Sequence, residues 1–223
     1  MHIEPGVVDG AKIVLSYATA LAALGLSAKA SIDMIKKDGL VSLISRSVLT
    51  TLFVFAFFEL LPHHAVGVSE VHLILGSTLF LIFGPAAASI GLIFGLLTQG
   101  VFFAPFDLPQ YGMNVTTLLL PLFAMSAVAR RTIAENTAYV DISYKQALQL
   151  SLTYQGGIVA WVAFWAFYGQ GFGAENLTSV ATFGMAYLSV VLLEPVLDLA
   201  VLAAAKSLHR FKNSSLLEAR LFN

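Results

Sequence analysis

Apolar runs about long enough to cross a lipid bilayer follow one another along almost the whole chain, separated by short polar breaks. A helical crossing needs about 20 apolar residues. Seven such segments can be marked: Gly10–Ala28, Leu40–Leu61, Val71–Phe83, Pro85–Phe103, Met113–Ala129, Ala147–Tyr168 and Leu177–Ala205. The third is short and ends at Gly84-Pro85, which reads as the tight turn of a buried helical hairpin. A single kinked helix from Val71 to Phe103 would be too long for one crossing. The pattern therefore predicts an all-α, polytopic membrane protein with seven transmembrane helices.

The basic residues orient this bundle. Lys29, Lys36, Lys37 and Arg46 fall after the first segment. Arg130, Arg131 and Lys145 fall between the fifth and sixth, and Lys206, Arg210, Lys212 and Arg220 follow the seventh. Seven crossings put all of these in the cytoplasm and leave only Lys12 of the 12 basic residues outside. The N-terminus is then outside and the C-terminus inside. Glu4, Asp9, Glu59, Glu70, Asp107 and Glu175 lie on the outer side, giving an acidic mouth that concentrates cations. Positive-inside sorting alone leaves the same residue.

Composition agrees. The 223 residues are 58% hydrophobic and 11% charged, with a mean hydropathy of +0.83, whereas soluble domains are nearer about 25% charged. One membrane domain is expected over residues 1–223: an outer N-terminal strand (1–9), a bundle (10–205) and a cytoplasmic tail (206–223). The start is not a signal peptide, because Glu4 and Asp9 precede the first apolar run where a signal carries positive charge. There is no cysteine, so any metal site must use nitrogen and oxygen ligands. No Gly-rich phosphate loop is present; uphill work would need a partner ATPase or an ion gradient. No nucleic-acid partner is expected. No nucleophile, base and orienting group stand at plausible mutual positions, so no enzyme is expected.

The candidate chemistry begins at Met1-His2. The α-amine, the amide nitrogen of residue 2 and the imidazole can close fused rings around one ion, a planar nitrogen set that suits Ni(II), Cu(II) or Co(II). His72 lies at the start of an apolar run, where an ionisable side chain is a functional candidate. The six residues before the first helix reach up to about 20 Å, enough to fold back and meet His72. Gln99 and Asn114 are helical amides placed to orient the imidazole or the terminal strand; ordinary interhelical hydrogen bonding explains them equally. Ala87, Gly91, Gly95 and Gln99 fall at steps of four, so one helix face is small. His63 and His64 read as a solvated turn, with a weak metal-capture site as the alternative, and His209 as a cytoplasmic headgroup-level residue. Glu194 and Asp198 share a helix face. They are expected near the cytoplasmic side, pairing with Arg130 or Arg131 or meeting a partner. Ala18 and Ala22 give the first helix a smooth face for packing against the bundle or another subunit.

Met1-His2-Ile3, then His72 with Gly84-Pro85 beyond it, then Gln99, Gly112 and Asn114 resemble the cobalt/nickel substrate-binding permease subunits of energy-coupling-factor transporters. The resemblance covers most of the chain and is strongest over Met1–Gly6 and Val71–Asn114. It implies metal held near the outer face by the amine of Met1, the amide and imidazole of His2, and His72. It implies a transmembrane T subunit, cytoplasmic ATPases and, in many relatives, a small auxiliary membrane subunit that meets a surface like the smooth face of the first helix. The expected setting is a bacterial or archaeal cytoplasmic membrane, with Ni(II) or Co(II) as cargo rather than cofactor. Where the family reads Pro-Asp-Gly after the opening triplet this chain has Glu4-Pro5-Gly6. Thr117 replaces a second asparagine, and Tyr187 a histidine upstream of the matched Glu194. Two rival readings remain: a stand-alone proton-coupled transporter using Glu194 and Asp198, and a subunit for an organic molecule stacked on Trp161, Phe164 and Trp165.

Overall fold

The computed structural model describes residues 2–135, 137–207, 216 and 218. Six helices among them are long and apolar enough to cross a membrane. These are α1 (Ile13–Asp38), α2 (Leu40–Glu59), α3 (Gly76–Phe102), α4 (Tyr111–Thr132), α5 (Tyr144–Gln170) and α6 (Ala174–Ser207). Two short strands, β1 (His64–Val66) and β2 (Ser69–Val71), form an antiparallel hairpin between α2 and α3. The chain is thus a multi-pass, all-helical membrane protein with a small β cap. Met1 and the tail residues His209, Arg210, Lys212 and Arg220 lie outside the described residues.

The helices outrun the apolar segments. α1 continues past Ala28 through Lys29, Lys36 and Lys37 to Asp38. Hydropathy marks where side chains meet lipid, whereas a helix stops where its backbone turns. Here that point is Gly39, at φ 86° and ψ 162°, a conformation that favours glycine. α3 and α4 form the buried centre and α1 lies at the edge. Only one stripe of α1 is buried, Ser16, Ala20, Ala23, Ser27 and Met34, the helical spacing of a single packed face.

Within α3, Gly84 stands at φ 83° and ψ 164°, nearly the values of Gly39 between α1 and α2. Its neighbours show that the chain reverses there. The His72 ring lies 5.2 Å from Phe58, at the end of α2. Gly84 lies against Glu218, which pairs with Arg46 near the start of α2 at 3.0 Å. Phe103 is back beside Phe55, 5.3 Å between rings. The expected turn at Gly84-Pro85 is therefore present, joining two legs. The first leg differs from expectation: it is helical only from Gly76, and His72 sits in an extended stretch above that helix. The β hairpin holds the chain extended up to Val71, so the helix starts later than the apolar run.

The outgoing leg of α3 packs beside α2 through its small face. Thr50 Oγ1 donates to the carbonyl of Ala87 at 2.7 Å. A Cβ on Gly91 would lie 2.5 Å from Thr50 Cβ and 2.8 Å from its carbonyl carbon. Two backbones this close leave no room for a methyl group. Gly91→Ala should therefore lower thermal stability in detergent by about 1–3 kcal/mol, measured against a control alanine substitution at exposed Gly25.

Candidate metal centre

The β cap is built with the chain's first residues. Ile3 pairs antiparallel with Ser69, so the terminal strand adds to the β1–β2 hairpin. The Glu70 N–H donates to the His2 carbonyl at 3.0 Å, and the Glu4 N–H to the Val68 carbonyl at 3.2 Å. Ser69 Oγ adds a bond to the His2 carbonyl at 2.8 Å. From the helical side, Asn114 Oδ1 accepts the Ile3 N–H at 2.8 Å. Ile3 is fully buried and His2 is 2% exposed. A terminal strand frays unless something ties it down; here backbone pairing, a hydroxyl and an amide all do so.

The strand carries His2 to His72. The two rings stand 5.3 Å apart at 71°, with Phe58 against both. His2 Nδ1 donates to Glu70 Oε2 at 2.7 Å, and His72 Nε2 donates to the same oxygen at 2.8 Å. Nitrogens from two parts of the chain thus converge on one point. The three ligand-type atoms lie within 4.8 Å of one another, as an ion would require. Gln99 lies within hydrogen-bonding reach of His2. Asp107 Oδ2 stands behind His2, 3.9 Å from Nε2. His63 stacks on His72 with centroids 4.9 Å apart at 15°.

Burial and hydrogen bonding set the charges of the cap groups. It lowers the His2 pKa below 6.5 despite the neighbouring carboxylate, so the imidazole is held neutral. Burial alone would raise Glu70, but the hydrogen bonds from His2 and His72 outweigh it and hold the carboxyl well below its usual range. The arrangement is an anionic oxygen facing neutral imidazoles, the donor set of a transition-metal site.

The sequence-family profile of the cobalt uptake substrate-specific transmembrane region matches residues 2–210. The chain belongs to that family. No curated protein matches it. Two solved structures share its fold. One, a truncated transition metal transporter, is 18% identical with a TM-score of 0.72 over 93% of this chain and 99% of its own. Another transition metal transporter is 19% identical with a TM-score of 0.70 over 94% of each. The family's description is of cobalt uptake across a membrane, not of catalysis.

Within this cobalt-uptake fold, the structure brings His2, His72, Gln99 and Asn114 together. Met1 lies outside the described residues. Ala18 and Ala22 are exposed on α1. Glu194 does not sit at an exposed surface as expected: it is fully buried. Its Oε1 accepts the N–H groups of Ile74 at 3.0 Å and Leu75 at 2.8 Å, and Gln155 donates to Oε2. Asp198 accepts from Ser77 and Thr78. Neither carboxylate pairs with Arg130 or Arg131 among the described residues. α6 runs 34 residues, longer than one crossing, so counting depth from its outer end sets Glu194 too deep. His63 also departs from the solvated turn: it is half-buried over His72, while His64 is exposed in β1.

Glu70, expected only as one acid of an outer mouth, instead stands between the two imidazoles. Its signal was the Glu-Val-His triplet, since alternate residues of an extended strand share a face. The helical pattern assumed for Val71–Phe83 hid that alternation.

Asn114→Ala should leave the buried Ile3 N–H without an acceptor, loosening the strand by about 1–3 kcal/mol; hydrogen exchange at the Ile3 amide reads this directly. Acid should loosen the same strand. His2 has a lowered folded pKa, so its contribution is complete above 6.5 and falls as pH drops below that value. The contribution of Glu70, also lowered, is complete above its ordinary 4.5 and is lost as pH falls below that value. Ile3 protection, corrected for intrinsic exchange, should fall between pH 7 and pH 5 and fall again below pH 4.5.

Proposed function

We propose that this protein is the substrate-capture subunit of an energy-coupling-factor transporter that takes up Ni(II) or Co(II). The convergence of His2 Nδ1 and His72 Nε2 on a single point 2.7 and 2.8 Å away carries the reading. In it, the free amine of Met1 and the amide nitrogen of His2 join the two imidazoles around the ion. Gln99 and Asn114 orient the ligands. The ion is cargo, captured at the acidic outer face and released inward.

The N-terminus is outside in this reading and the chain crosses seven times. The leg from His72 to Phe83 is a crossing because roughly 12 Å of helix and about 13 Å of extended chain add up close to the hydrocarbon thickness. The chain has no phosphate loop of its own, so separate cytoplasmic ATPases and a transmembrane T subunit supply the energy. The exposed Ala18 and Ala22 of α1 offer a surface for such a membrane partner, or for a small auxiliary subunit. The setting is a bacterial or archaeal cytoplasmic membrane.

The rivals fit less well. Glu194 and Asp198 are engaged with the start of α3, which counts against their serving as a proton relay in a stand-alone transporter. Trp161 and Phe164 stack on each other, 4.8 Å between centroids at 23°, and the fully buried Trp165 stands edge-on to both, so the three rings are already one another's partners.

Uptake of radiolabelled metal into vesicles carrying this subunit with its ATPase partners tests the proposal. His2→Ala, His72→Ala and a one-residue N-terminal extension should each abolish uptake. Normal uptake by the extended variant would remove the terminal amine from the ligand set. Uptake by the chain alone, driven by a pH gradient, would favour the stand-alone transporter.

A further inference from the structure

We infer that the turn at Gly84 carries a docking notch for a carboxylate, and that Glu218 near the C-terminus is a latch seated in it that must leave before the first leg of α3 can move. The contact lies at the end of the bundle away from the β cap. Arg46, near the start of α2, meets Glu218, whereas Phe58, near the end of α2, meets His72; the two stand roughly 18 Å apart along the helix.

The notch is the space that a side chain would fill at Gly84. A Cβ there would lie 2.5 Å from Glu218 Oε2, and its three nearest atoms all belong to that one side chain. Glycine thus meets two demands at once, the backbone reversal at φ 83° and room for the carboxylate. Arg46 Nη1 donates to the same oxygen at 3.0 Å, and Lys37 Nζ stands 3.4 Å from Oε1. The backbone adds to this grip, since the Glu218 N–H donates to the Ile82 carbonyl at 2.8 Å. Ile82 lies in the last turn of the first leg, where a helix leaves carbonyls without an intrahelical donor. Pro85, just beyond, has no N–H to offer.

Two features allow the contact to open. Arg46 is 2% exposed, and a buried guanidinium left without a partner is strongly destabilising. Its Nη2 also pairs with Asp38 at 3.2 Å, so Glu218 can withdraw without stranding the charge. A cavity of about 310 Å³ beside the turn has Glu218, Pro85, Asp38 and Arg130 among its walls, which gives the carboxylate room to leave.

The leg held by this latch leads from Gly84 back through Gly76 to the extended His72 segment. Glu218 fixes one end of it, and Glu194 and Asp198 fix the other. The consequence for transport rests on the metal-capture reading: the seated latch retains the ion, and its withdrawal precedes release.

Metal-free, full-length protein in detergent tests the latch itself. Glu218→Gln should lower hydrogen-exchange protection across residues 77–82 by about fivefold or more, while protection of the Ile3 amide in the cap stays unchanged. Gly84→Ala should depress the melting temperature at least about 2 °C further than Gly39→Ala does. The two glycines share nearly the same backbone angles, but nothing lies within 4 Å of a Cβ on Gly39. That excess should vanish in a Glu218→Ala background. Unchanged protection of the leg in Glu218→Gln, or an excess at Gly84 that survives Glu218→Ala, would overturn the latch. Dissociation of bound Co(II) should be about threefold faster or more from Glu218→Gln than from the unaltered protein; equal rates would overturn its role in retaining the ion. Failure of the unaltered protein to bind Co(II) would instead remove the metal-capture reading and leave the exchange and melting results to decide the latch.

Discussion

The cap depends on backbone pairing between the first residues and the β1–β2 hairpin. Each such hydrogen bond is worth only about 0.5–1.5 kcal/mol net. Several act on the same short segment, however, and the buried Ile3 side chain adds about 1.5–3 kcal/mol. Together they offset the entropy of ordering a terminus, about 1–2 kcal/mol per residue. Without this pairing His2 would be a solvated residue on a frayed end, and His72 a lone buried imidazole. Docking makes one site of two unremarkable residues.

A second set of contacts holds the other side of that site. Leu75 has φ 53° and ψ 38°, a left-handed conformation that costs a branched residue about 1 kcal/mol or more. Glu194 compensates by accepting the N–H groups of both Ile74 and Leu75. Asp198 then accepts the hydroxyls of Ser77 and Thr78 in the first turn of α3, where the helix dipole favours a negative charge. The two carboxylates of α6 thus fix the angle at which the extended His72 segment enters the α3 leg. The position of His72 is set from above by the hairpin and from below by α6.

Much of this was legible in the sequence because membrane helices advertise themselves. Long apolar runs and the spacing of Ala87, Gly91 and Gly95 pointed to the bundle and to the close α2–α3 packing. Gly84-Pro85 marked the reversal, since glycine permits the backbone angle and proline cannot continue a helix backward. His72, Gln99 and Asn114 stand out as polar residues in apolar surroundings, and His2 by its place beside the terminal amine. The strands were not legible, because three-residue strands are too short to show a period against a hydrophobic background. Missing them hid Glu70 and His63, whose meaning depends on strand alternation and on a hairpin folding over His72. Glu194 was misplaced for a related reason: α6 is longer than the membrane is thick, so position along it does not measure depth.

In the proposed capture reading, the cap also bears on how an ion can leave. The Glu70 carboxylate accepts from both imidazoles, which ties the terminal strand to the hairpin at the site itself. The strand's backbone pairing and its bond to Asn114 do not involve the ion, so in that reading the strand need not undock to empty the site. Release inward, on the same reading, requires the His72 segment to move, and that segment leads into the α3 leg that Glu194 and Asp198 hold. A partner at the other end of the bundle would reach the site along this leg, whose turn at Gly84 lies beside Glu218, the partner of Arg46. In that reading the chain between His72 and Gly84 links the two ends of the bundle through the buried centre, and its partners on α6, Glu194 and Asp198, are contacts that inward release would break.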